Sequence, residues 1–303
     1  MKRRLSALIA ALAIATTLAA CSSGGSTTAG ASTTADPKNP VTVKVGVTDA
    51  SHEYWQTFIA LAKKAGITVE LQNFTDYQQP NPIVTQGQLE LNQFQHLLFL
   101  ANYNVSAKAD LVPIGATAIY QLGLYTDKGY TTPADIPDGG EVAIPNDPTN
   151  QARALLELQS AKLITLKNGG NALSTPADID EAKSRVKVIP VDANQTTVQL
   201  KSLDAAVINN NFAADAKIDP TTAIYSDLKD TDAAAPYINV WVAPKADADN
   251  PVYAQLVTIY HDATVTKELL AESKGTAVSI DKTPAELATI LSGLEKDIKA
   301  AKS

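Results

Sequence analysis

The chain has 303 residues, is 45% hydrophobic and 19% charged, and carries a formal charge of −7. That length is enough for two ordinary domains. The acidic balance argues against a nucleic-acid binder, which needs a basic footprint, and a single cysteine excludes a disulfide framework and a thiolate metal cluster.

The first segment reads as a targeting signal. Lys2, Arg3 and Arg4 are followed by a mostly apolar stretch over 5–17, too short for a comfortable membrane span. Leu18-Ala19-Ala20-Cys21 then places small residues before the cysteine, the pattern of a bacterial lipobox. The sequence predicts a signal peptide over 1–20 and a lipidated Cys21. A flexible Ser/Thr/Gly-rich tether completes 21–40. The folded part is expected to hang from the extracytoplasmic side of a cell membrane by its lipid anchor.

Alternating apolar residues at Val41, Val43, Val45 and Val47 predict a strand. A helix is expected over 51–65 with Gly66 as its stop, then a strand over 67–71. Strands follow near 141–144, 186–191 and 205–208, with helices near 148–161 and 196–203. Two helices, about 251–272 and 284–299, close the chain. The alternation predicts an α/β fold with largely parallel sheets.

Enzyme motifs are missing. There is no GxSxG, HExxH or CxxC, no glycine-rich phosphate loop, and no paired carboxylates announce themselves. The sequence therefore predicts a protein that is not an enzyme and needs no cofactor or metal. His261, in TIYHDAT, reads as a solvated helix residue.

The stretch VAIPNDPTNQARALLELQ, over 142–159, reads as a strand end entering a helix. Asp147 and Pro148 suit the N-cap and first helical position, and Arg153 lies just inside. A guanidinium there suggests a docked anion. Taken alone, Arg153 reads as a solvated helix residue and His96 as a packed, hydrogen-bonded histidine. Asn209-Asn210-Asn211 reads as a strand-end turn or helix cap.

Together with FTDYQQPN at 74–81, GQLELNQFQH at 87–96, AAVINNNFA at 205–213 and APYINVWVA at 235–243, this stretch resembles the methionine-binding lipoproteins of ABC importers, the MetQ/NlpA family. The resemblance spans most of residues 41–245. It implies a type II periplasmic-binding-protein fold, in which two α/β lobes joined by two crossover strands hold a ligand between them. Lobe one would comprise 41–120 and 236–303, and lobe two 121–235. The resemblance further implies that Arg153 takes a ligand carboxylate with its planar fork, and that Asn209 and Asn239 take the ammonium and backbone end. Tyr77, Phe94 and His96 would form the side-chain slot, where aromatic rings suit a thioether.

The implied ligand is methionine, with the L enantiomer expected, and the implied partners are an ABC permease and its ATPase subunits. Two other readings remain open. One is the same fold binding another amino acid or a small peptide. The other is a surface lipoprotein that binds a protein partner without transport. The chain departs from the family at two places. Leu97-Leu98-Phe99 stands where the family usually has Lys-Pro-Tyr, and Thr48-Asp49-Ala50-Ser51-His52 lacks the family's Gly/Pro-rich turn.

Overall fold

The computed structural model describes residues 34–227 and 234–302. The expected signal peptide, Cys21 and most of the tether lie outside the described residues. In chain order the elements are β1 (Val41–Val47), α1 (Tyr54–Lys64), β2 (Ile67–Asn73), α2 (Pro80–Thr85), β3 (Leu91–His96), α3 (Leu97–Ala107), β4 (Val112–Ala116), β5 (Ala118–Tyr120) and β6 (Leu122–Tyr125). They continue with β7 (Glu141–Pro145), α4 (Pro148–Ser160), β8 (Lys187–Val191), α5 (Thr196–Gln199), β9 (Ala205–Asn209), α6 (Asn210–Asp215) and β10 (Tyr225–Ser226). The last are β11 (Asn239–Ala243), α7 (Pro251–Tyr260), α8 (Ala263–Glu272), β12 (Ala277–Ser279) and α9 (Pro284–Ala301).

The first sheet has the order β2-β1-β3-β11-β4 and the second β10-β6-β9-β7-β8, while β12 pairs with β5 in a small ribbon. Each sheet anchors one lobe. The chain passes from the first sheet to the second through β5 and returns after β10. The return runs over 227–238, of which 228–233 lie outside the described residues.

Both sheets are mixed, which corrects the expectation of largely parallel ones. β1 runs parallel to β2 and β3, and β7 runs parallel to β8 and β9. β11 is antiparallel to β3 and β4, and β6 is antiparallel to β9 and β10. Parallel neighbours need a long crossover connection, usually a helix. β6 and β11 instead enter their sheets directly from a passage between lobes, so their direction is set by that passage.

The predicted helix over 251–272 is two helices, α7 and α8. Asp262 sits between them in an extended conformation and accepts a hydrogen bond from the Thr264 N–H at 2.8 Å, capping α8. His261 is not solvated as expected. Its Nε2 donates to the Ala116 carbonyl at 2.9 Å, pinning the helix break to the end of β4.

Gly66 ends α1 and turns into β2 with φ +84°. A side chain there would also collide with the Asp36 carbonyl carbon, 2.4 Å from a Cβ. The turn over 36–39, closed by the Asn39 N–H to the Asp36 carbonyl at 2.8 Å, packs into this space. One face of the first sheet carries a cluster of Trp55, Phe58, Trp241 and Tyr260, all buried. The core of the second lobe is aliphatic, with Leu122, Ile144, Leu155 and Val207 among its buried residues.

Candidate ligand-binding site

The two sheets face each other across a cleft of about 1050 Å³, at the upper end of ordinary small-molecule pockets. Tyr77, Phe94, His96, Arg153, Asn209 and Asn239 all line it. The first three and Asn239 come from the first lobe's segments, and Arg153 and Asn209 from α4 and the end of β9.

The aromatic wall is built around a helix cap. His96 ends β3, and its Nδ1 accepts the Phe99 N–H at 3.1 Å, capping α3. That fixes the proton on Nε2, which donates to Asn150 Oδ1 at 3.4 Å. Burial, with help from the nearby Arg153 charge, lowers the His96 pKa to about 3, so the ring is neutral near pH 7. The same cap turns Phe99 onto the wall. Its ring centroid lies 5.7 Å from Phe94 and 6.3 Å from Tyr77, both edge-on.

Phe99 is a cleft residue that sequence reasoning noticed only as a departure from the family. The signal was available in its spacing. Position 99 is the third residue after the cap, and a cap bonds to that N–H.

Arg153 is nearly enclosed. Its Nε donates to Asp227 Oδ2 at 2.5 Å, and its Nη2 donates to Asp227 Oδ1 at 3.1 Å and to the Tyr120 carbonyl at 2.8 Å. Its Cζ lies 4.3 Å above the Tyr237 ring. Burial opposes the guanidinium charge, but the Asp227 carboxylate outweighs it and the pKa moves up. The fork edge expected to face a ligand is thus committed to Asp227, a residue that local sequence pattern did not single out. Nη1 has no partner among the described residues.

The helix N-terminus itself is not an open anion site. Asp147 caps α4, accepting the Asn150 N–H at 3.0 Å and the Thr149 hydroxyl at 3.1 Å. Asn150 Nδ2 donates back to both Asp147 oxygens, and its Oδ1 receives His96 from one lobe and Asn209 Nδ2, at 3.0 Å, from the other. Asn150 therefore joins the cap to both walls of the cleft.

Two acceptors beside this chain are left over. Asn209 Oδ1 and Gln93 Oε1 are buried and find no hydrogen-bond partner among the described residues, and both side chains line the cleft. An unmade bond on a buried polar group costs about 1–3 kcal/mol. Carbonyl acceptors held this way suit a donor-only group such as an ammonium. Asn239 donates to the Tyr237 carbonyl at 3.3 Å and pairs opposite His96 in the sheet.

The lobes touch at the rim. Tyr77 donates its hydroxyl to Asn211 Oδ1, and Asn211 Nδ2 reaches the Thr48 carbonyl at 3.4 Å. Lys274 pairs with Asp219 at 2.8 Å, and Asn194 donates to the Thr75 carbonyl at 3.0 Å. Among the described residues no group of three His, Cys, Asp or Glu side chains could hold a metal ion, and no helix is long and apolar enough to cross a membrane.

Two α/β lobes that close on a polar cleft from opposite sides are the architecture of a substrate-binding protein, in which recognition rather than bond making is the task. Comparison with known proteins agrees, and residues 43–280 match the family described as NlpA lipoprotein. The chain belongs to the NlpA lipoprotein family. A relative from Pasteurella multocida, "Probable D-methionine-binding lipoprotein MetQ", is 31% identical over 269 residues, covering 88% of this chain and 96% of that one. The structure of the substrate-binding protein of a methionine transporter from Streptococcus pneumoniae is similar with a TM-score of 0.73 and 37% identity, covering 79% of this chain and 95% of that chain. A nutrient-binding protein from Burkholderia cenocepacia, solved bound to methionine, gives 0.72 and 36%, covering 78% and 99%. The chain is a substrate-binding protein of this family and not an enzyme.

Proposed function

We propose that this protein captures methionine and delivers it to an ABC permease, anchored through Cys21 on the extracytoplasmic side of the membrane. One arrangement carries the reading. The wall of Tyr77, Phe94, Phe99 and His96 stands beside the unpaired Nη1 of Arg153 and the unpaired acceptors of Asn209 and Gln93. An α-carboxylate would meet Arg153, the ammonium would meet Asn209 with Asn239 nearby, and the thioether would lie against the rings. Sulfur against an aromatic edge is worth about 0.3–1.5 kcal/mol per contact. Binding from both lobes favours the closed arrangement and shifts the population toward it.

The rings of the aromatic end carry no charge of their own, since His96 is neutral and Tyr77 keeps its proton. Methionine is therefore expected to outbind glutamine by about tenfold or more, because one unpaired amide costs about 1.4 kcal/mol or more. Norleucine is expected to follow closely behind methionine. A competition titration of the protein with D- and L-methionine, norleucine and glutamine decides this. Glutamine displacing methionine at equal concentration would end the specificity reading. Failure to bind any amino acid would favour a protein-partner role instead.

The anchor has its own test. Cys21→Ser is expected to abolish acyl labelling and to release the protein into the soluble fraction. A variant that stays with membranes through salt washing removes the lipid from the account.

A further inference from the structure

We propose that Asp227 is a positioning residue for ligand recognition. It holds the Nε/Nη2 edge of Arg153 so that Nη1 is the edge presented to the ligand carboxylate, and it ties that orientation to the two passages between the lobes. The proposal rests on the reading of Arg153 given above and adds a residue that does not itself meet the ligand.

The geometry is specific. Asp227 begins the return passage, and its backbone N–H donates to the Leu122 carbonyl at 3.3 Å. Its Oδ1 accepts the Leu122 N–H at 2.9 Å as well as Arg153 Nη2. Leu122 opens β6, where the outward passage enters the second lobe, and Tyr120, whose carbonyl takes Arg153 Nη2, lies in that passage. One guanidinium on α4 is thus bound both to Tyr120 on the outward passage and to Asp227 where the return passage begins.

These backbone bonds distinguish a built-in support from a stand-in for the ligand carboxylate. A stand-in would be free to leave when the ligand arrives. Asp227 instead completes a reciprocal pairing with Leu122 through its own main chain and side chain. It is also the ionic partner that the neighbourhood supplies. The other carboxylate near Arg153 is Glu157, one turn along α4, whose two oxygens are buried and have no partner among the described residues. Burial, and then the Asp227 charge, raises the Glu157 pKa well above the usual range, which disfavours its charged form. Nη1 is left over by this arrangement, in a side chain that lines the cleft.

The test compares Asp227→Asn, Asp227→Ala and Asp227→Glu by calorimetry with two ligands, methionine and methioninol, which lacks the carboxylate. Asp227→Ala is expected to weaken methionine binding by about tenfold or more, the scale of one charge-assisted hydrogen bond, and to change methioninol binding little. Asp227→Glu is expected to restore part of the loss. In an Arg153→Ala background, Asp227→Asn is expected to cost methionine nothing further.

Equal losses for both ligands, or additive losses in the double variant, would reduce Asp227 to a structural role and overturn the proposal. A gain in methionine affinity in the Asp227 variants that keep Arg153 would make it a carboxylate stand-in and overturn it equally. A wild-type protein that binds no methionine would sink the proposed function instead. The Arg153 Nε–H proton signal in NMR then still decides the positioning. It is expected to be sharp and slow to exchange in wild type and Asp227→Glu, and lost in Asp227→Asn. A signal unchanged in Asp227→Asn would overturn the proposal.

Discussion

Replacing Arg153 with alanine is expected to weaken methionine binding by about a hundredfold and to cost about 3–5 kcal/mol of folding stability. The two losses have separate causes. Binding loses a charge-assisted hydrogen bond worth about 1.5–3 kcal/mol, and one decade of affinity is about 1.4 kcal/mol. The Asp227 carboxylate, no longer neutralised, adds repulsion toward the ligand's own carboxylate. Stability falls because the Asp227 carboxylate loses its partner in a site where its side chain is only 21% exposed. Breaking a buried pair by removing one partner leaves that charge uncompensated. Arg153→Lys keeps a charge but loses the planar fork, so it cannot hold two Asp227 oxygens and the Tyr120 carbonyl together with a free edge. Its expected affinity loss is about 1.5–3 kcal/mol. Calorimetry and urea unfolding measure the two quantities independently. Unchanged affinity in Arg153→Ala would take the residue out of the site.

The contrast between Arg153 and Asp227 explains what could be read from the sequence. Arg153 announced itself because its surroundings are local. A strand end, an Asp-Pro cap and an apolar helical face lie within a dozen residues, and each has a known physical preference. Asp147 caps α4 as those preferences require. Asp227 lies 74 residues from Arg153, and nothing near it in the chain distinguishes it from other surface aspartates. Its role exists only once the fold brings Asp227 against Leu122, where the outward passage enters β6.

Strand direction was hidden for a similar reason. Apolar periodicity is the same whichever way a strand runs, so a mixed sheet and a parallel one look alike along the chain. The helix break at Asp262 was nearer the surface of the sequence. His261-Asp262-Ala263-Thr264 places a cap residue two positions before the N–H it accepts, but the apolar run on either side masks the interruption. The aromatic wall lay in between. Tyr77, Phe94 and His96 came from a resemblance, whereas Phe99 follows from the His96 cap alone.

Trp241→Ala is expected to cost about 3–5 kcal/mol, the range for deleting a large buried aromatic side chain. Total stabilities are about 5–15 kcal/mol, so this loss is a large share of what holds the first lobe together. Trp241 is fully buried and lies 5.5 Å from Tyr260, 5.6 Å from Phe58 and 6.0 Å from Trp55 by ring centroid. It joins β11 to α1 and α7 through one cluster.

The strand depends on that cluster because its ladder is irregular at this point. The pairing with β3 shifts between Val240 and Trp241, and the pairing with β4 shifts between Trp241 and Val242. Where backbone register slips on both sides, the side chain holds the strand in place. Asn239 is two residues away and pairs opposite His96, so a loosened β11 should also disturb the cleft. Trp241→Phe keeps most of the ring contacts and removes an indole N–H that has no partner among the described residues. Its expected cost is below about 1.5 kcal/mol, the scale of a swap that largely keeps volume. Urea unfolding followed by circular dichroism distinguishes the two. A midpoint shift for Trp241→Ala worth less than about 1 kcal/mol at unchanged slope would show that the aromatic cluster does not anchor the return strand.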